Sequence, residues 1–318
     1  MKACWWLLKR EFWEHRRALL ITLGTLLLVC IVLNICALNV DLLTTHIQSR
    51  VLSRVGIDKT TEELVAYAVL QTWLYAQRLL FEVTGFIFCF RYFLLTLGAE
   101  RTEKNVMFWR SLPVTDMQTV FVKLVFGTTV IPLFFLLANL CATLVSVLLH
   151  AAYFSKQLSL EISTADFLES GMTLYSSSMI SFPVFILWGG LTGGWLMLWS
   201  ALTPRLGGLF AILIPLLGLV VVTQTHLSYP DAEFWLKPVA TFLTSLDLSL
   251  LPGSLNAKLL WFEGGWDWDN YLRGVMSHHV HQQPDLIKQF INQNLWISVV
   301  VGSIFTICAA HLRRFKSE

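Results

Sequence analysis

The chain has 318 residues, of which 55% are hydrophobic and 14% charged, with a net charge of +2. A soluble domain carries roughly 45–50% apolar and about 25% charged residues. The balance therefore excludes an ordinary soluble globule and, with no long basic tract, a nucleic-acid-binding protein.

In chain order, six apolar runs approach or exceed the roughly 20 residues that a bilayer-spanning helix needs. They cover 18–40, 81–98, 118–149, 176–203, 206–226 and 294–312. Backbone polar groups in hydrocarbon must be satisfied within the segment, and the two-residue alternation of a membrane strand is missing, so each run is expected to be a helix. The predicted fold is an all-α integral membrane protein with six spans in one domain, 1–318. The first run is longer than a signal-peptide core and lacks an A-x-A site after it, so it is expected to be retained.

Residues 1–17 precede the first span. Trp5, Trp6, Leu8, Phe12 and Trp13 share one helical arc, and Arg10, Glu11, Glu14, His15 and Arg17 most of the other. This pattern predicts an interfacial helix with tryptophan at the headgroups and basic residues toward anionic lipid. In the connection 41–80, Thr60 and Glu63 form a candidate capping box that would start a helix running to about Gln77, a candidate outward extension of span 2 whose lipid-buried part is expected to end near Phe81. Five of the six cysteines lie inside apolar runs, there is no CxxC pair, and no disulfide framework is expected.

Lys and Arg set the orientation. They gather before span 1 (Lys2, Lys9, Arg10, Arg16, Arg17), between spans 2 and 3 (Arg101, Lys104, Arg110, with Lys123 inside span 3), at Arg205, and after span 6 (Arg313, Arg314, Lys316). Six spans put all four groups on one side, expected to be cytoplasmic with both termini. The longer connections 41–80, 150–175 and 227–293 then lie outside, where acidic residues equal or exceed basic ones.

The most informative stretch is 99–124, AERTEKNVMFWRSLPVTDMQTVFVKL. Residues 99–110 favour a short helix that Pro113 stops, and Thr115 with Gln118 forms a capping box that starts span 3. Phe108 and Trp109 are large apolar side chains on a charged element and suit a pocket on a partner. Glu100, Arg101, Glu103, Lys104 and Arg110 would make the polar rim. The bland reading seats the two rings at lipid headgroups.

This stretch resembles the coupling segment of ABC-2 type transporter permeases. There an "ER" pair follows span 2, then a short helix, "SLPV", a polar turn and an early lysine in span 3. Here these are Glu100-Arg101, Phe108 to Val114 and Lys123. Residues 7–17, LLKREFWEHRR, resemble the N-terminal interfacial helix of bacterial members, and the six-span layout fits throughout. The resemblance implies the membrane subunit of a type V exporter in a bacterial inner membrane. A second copy of the permease would pair with it, two cytoplasmic ATPase subunits would bind ATP and Mg, and 99–114 would be the coupling segment. The family exports substrates that include lipid-like, peptide and drug-like molecules. The chain itself has no GxxxxGK[ST] phosphate loop, so ATP would be bound by another polypeptide, and this one is expected to be non-catalytic.

Other candidates are weaker. Arg91 in span 2 is a candidate for the transport route or for a structural role, because a charge inside a span is expensive. Gly189, Gly190, Gly193 and Gly194 form overlapping GxxxG pairs, expected first to serve helix packing. Pro132, Pro183 and Pro215 should kink their spans. His278, His279 and His281 invite a metal but read better as a solvated face, so no metal is expected. Glu263, Asp267 and Asp269 among Trp261, Trp266 and Trp268 read as a membrane-edge belt. Rival readings are an ATP-independent transporter or channel, a structural component of a larger assembly, and a membrane-embedded enzyme. The last is disfavoured because no HExxH and no aspartate within a span are present.

Overall fold

The computed structural model of the chain describes residues 2–39, 59–102, 115–157, 164–203, 206–228 and 293–315. These are helical almost throughout, and no strand occurs among them. The elements are α1 (Lys2–Asn39), α2 (Lys59–Thr102), α3 (Asp116–Val125), a π turn (Phe126–Val130), α4 (Ile131–Gln157), α5 (Thr164–Leu202), α6 (Gly207–Ser228) and α7 (Gln293–Phe315).

Among the described residues, five stretches are long and apolar enough to cross a bilayer: Cys4–Cys36, Trp73–Gly98, Asp116–Tyr153, Phe182–Leu202 and Leu295–Arg314. The chain is thus multi-pass in character. The sixth expected run coincides with α6, a 22-residue helix whose described side chains include the apolar stretch Gly207–Gly218.

Two helices exceed their expected bounds. Residues 1–17 are not a separate element, because α1 runs unbroken from Lys2 to Asn39. No Gly or Pro lies near residue 17, and Ala18, Leu19 and Leu20 are good helix formers, so nothing ends the helix there. The segment from residue 60 likewise joins span 2, giving α2 44 residues and a length of about 66 Å. That is twice the roughly 30 Å hydrocarbon thickness, so part of α2 stands outside it.

Span 3 is one rod with a defect. Thr115 and Gln118 form the capping box, each side chain bonding the other's backbone N–H. Further along, the Ile131 N–H reaches Phe126 O, five residues back, which widens the turn just before Pro132. Pro132 has no N–H and would clash in a regular α-turn, so the π turn relieves it. In this wide register the Gly127 carbonyl looks to residue 132 and finds no donor there. The Cys89 thiol of α2 donates to it instead, at 3.4 Å. Gly127 also has no room for a side chain, since a Cβ would lie 2.2 Å from the Phe93 ring.

Lipid is as apolar as leucine, so helices in a bilayer associate through close packing and polar contacts. The most extensive pairing is α5 with α7. There a Cβ on Gly302 would sit 2.7 Å from Gly190 O, and one on Gly194 would sit 2.6 Å from Gly302 O. Gly193 faces Phe93 and Leu124, and Gly189 faces Thr128. Gly189, Gly193 and Gly194 therefore face close neighbours on two sides of α5, whereas a Cβ on Gly190 would meet nothing within 4 Å and only its carbonyl approaches Gly302. Outward faces of α1 and α6 expose Leu20, Ile21, Leu28, Leu209, Ile212 and Leu216, the surface expected against acyl chains.

Candidate functional site

A buried charge cluster lies where α1, α2 and α3 meet. Lys123 Nζ donates to Glu11 Oε1 at 2.7 Å and to Thr96 Oγ1 at 2.8 Å. The Tyr92 hydroxyl donates to Glu11 Oε2 at 3.0 Å. Both charged side chains are 3% exposed. His15, one turn after Glu11, stands edge-on to Tyr92 with ring centroids 5.0 Å apart, and Phe126 packs on Tyr92 at 5.4 Å. An ion pair out of water is tolerated only when its geometry is good and its remaining donors and acceptors are met. Here two hydroxyls and an aromatic wall meet those conditions.

Chemically the cluster is a clasp. Glu11, Glu14 and His15 bring ligand-type atoms within 4.8 Å of one another. However, Lys123 and Tyr92 occupy the Glu11 oxygens, and Arg10 binds Glu14 at 2.6 Å. An ammonium 2.7 Å from the would-be ligand opposes a metal cation.

The clasp lies close to Thr102 and Thr115, the described residues that flank 103–114. Thr96 is six residues before Thr102, and Lys123 is eight after Thr115, or about 9 and 12 Å along the two helices. Other contacts grip the same region. Ser200 of α5 donates to Leu94 O at 2.7 Å and accepts from Gly98 N–H at 3.1 Å, seating it on the last turns of α2. Arg313 of α7 lies 3.6 Å from Asp116, the first residue of α3.

Glu100 and Arg101 fall on the final turn of α2. Glu103, Lys104, Phe108, Trp109 and Arg110 lie outside the described residues. So do the histidines 278, 279 and 281 and the acidic and tryptophan residues 261–269. The short helix expected over 99–110 begins, at 99–102, as the end of span 2 itself. Arg91 is exposed on α2 and does not point into this subunit.

Sequence reasoning missed the pairing of Glu11, which it put on a solvated arc, and used Lys123 only as part of a motif. The available signal was a lysine inside a span, which needs a counter-charge. It also missed two polar features farther along α2. Arg78 and Glu82 form an i,i+4 pair at 2.7 Å, with side chains 6% and 12% exposed. Gln77 bonds Ser146 at 2.6 Å, Thr143 at 3.3 Å and Asn139 at 3.5 Å, and His150 Nδ1 meets Ser146 O at 2.8 Å. This seam joins α2 to α4.

Comparison of the chain with known protein families, with characterised proteins and with solved structures found no match.

Proposed function

We propose that the chain is the membrane permease subunit of an ATP-driven exporter of the ABC-2 type, with six spans and both termini in the cytoplasm of a bacterial inner membrane. Two copies would pair around a route for an amphipathic substrate, whether lipid-like, peptide or drug-like. Two copies of a separate ATPase subunit would bind ATP and Mg and dock against residues 99–114. The chain itself would catalyse nothing.

One observation carries the reading. The helices that enter and leave 103–114 are fastened within about two turns of that segment to α1 through Glu11–Lys123, to α5 through Ser200 and to α7 through Arg313. A push on the helices flanking the segment therefore reaches five helices, α1, α2, α3, α5 and α7. Phe108 and Trp109 supply the knob on which an ATPase would push, and Glu100, Arg101, Glu103, Lys104 and Arg110 the rim.

Replacement of Phe108 and Trp109 by alanine tests this. Membrane insertion should be unchanged, while ATPase docking and ATP-dependent transport are lost. Normal docking and transport in the double variant would overturn the reading and favour an ATP-independent transporter or channel, or a structural membrane component.

A further inference from the structure

The exposed face of α2 carries Val83, Ile87, Arg91 and Leu95 at four-residue spacing, a slowly winding apolar stripe with one guanidinium in it. Val83, Ile87 and Leu95 are 39%, 58% and 52% exposed. A bare cation on a surface facing hydrocarbon is costly, and such groups reach for the interface or pair with an anion. No described residue pairs with Arg91.

Two arguments fix its depth. The apolar stretch Trp73–Gly98 has 26 residues, about 39 Å against a hydrocarbon core of about 30 Å, so 4–5 Å project at each end when it is centred. Arg91 is seven residues, about 10 Å, before Gly98, and therefore about 6 Å inside the hydrocarbon edge, within reach of a snorkelling arginine stem. Independently, the neighbouring Tyr92 bonds Glu11 of α1. The same part of α1 exposes Trp5, Trp6 and Trp13, with the Arg16 guanidinium 3.8 Å from the Trp13 ring. Tryptophan and arginine together mark the headgroup level.

None of the carboxylates whose side chains are described stands open to pair with Arg91 of a second copy. Among the carboxylates whose side chains are described, Glu14 and Glu169 are exposed and Asp116 is half-buried. Glu14 is held by Arg10, Asp116 faces Arg313, and Glu169 stands near the start of α5, at the opposite end of the bundle from Gly98. Glu82 is turned inward to Arg78.

We propose that Arg91 holds the phosphate of a phospholipid in the leaflet on the side of the α2 C-terminus, with the lipid's acyl chains laid along Leu95, Ile87 and Val83. The site belongs to the outer wall of the subunit and does not depend on an ATPase partner.

The test uses the full chain with a photoreactive p-benzoylphenylalanine at Leu95, reconstituted in vesicles of phosphatidylglycerol and phosphatidylethanolamine. Leu28 on the open face of α1 serves as the reference position. Irradiation should give a lipid adduct at position 95, in excess over position 28. Arg91→Gln should lower that ratio about fivefold, the loss expected for one basic contact with a charged leaflet, and Arg91→Lys should keep most of it. A ratio unchanged by Arg91→Gln would overturn the proposal. So would an adduct of twice the chain mass, which would put a second copy on this face. Failure of the Phe108 and Trp109 variant to alter transport would leave this result untouched.

Discussion

Lys123→Met removes the ammonium and strands Glu11 in a site where its side chain is 3% exposed. Breaking a buried pair by deleting one partner costs about 3–5 kcal/mol. His15 Nε2 lies 3.8 Å from Glu11 Oε2, too far to replace the lost hydrogen bond. The Tyr92 hydrogen bond persists in both proteins and cancels. Glu11→Gln with Lys123→Met removes both charges while keeping the volume, and buried pairs replaced in this way are often neutral or stabilising. The double variant should therefore lie within about 1 kcal/mol of the parent, with a coupling of about 2 kcal/mol or more between the sites. Unfolding in mixed micelles titrated with denaturing detergent, followed by circular dichroism, measures all four proteins. A parent-like midpoint for Lys123→Met, or losses that simply add in the double variant, would refute the clasp.

Gly127→Ala places a methyl 2.2 Å from the Phe93 ring, which is 4% exposed and cannot yield. The same unfolding assay should show a loss of about 1–3 kcal/mol, largely restored by Phe93→Leu. Gly302→Ala drives a methyl against the Gly190 carbonyl at 2.7 Å. Here the obstacle is backbone, so a similar loss is expected and truncating a nearby side chain should not rescue it. Gln77→Leu unpairs Ser146 and Thr143. Hydrogen bonds between membrane helices average about 0.6 kcal/mol and reach about 1.7, so a loss near 1 kcal/mol is expected, well below that of Lys123→Met.

Features that depend on local chain chemistry were legible in the sequence. Apolar run length located the helices, and Thr115 with Gln118 marked the start of span 3 because capping involves only three residues of separation. Helix ends were less legible where no breaker stands: α1 passes residue 17 and α5 begins at Thr164, ahead of its apolar run. The site was least legible. Glu11 and Lys123 are 112 positions apart, and a helical-wheel arc cannot tell a glutamate facing water from one facing a lysine on another helix. The π turn has the same origin. Pro132 announces a distortion, but whether a kink or a widened turn absorbs it depends on the thiol that Cys89 brings to Gly127 from α2.

Isolation of the chain from its native membrane after cross-linking through a photoreactive group at Trp109 tests the central claim most directly. The account predicts a conjugate with a protein bearing a phosphate loop, formed from the cytoplasmic side, whose yield changes when ATP and Mg are added. Labelling of residue 109 by a membrane-impermeant reagent added outside the cell, with no such conjugate, would contradict it.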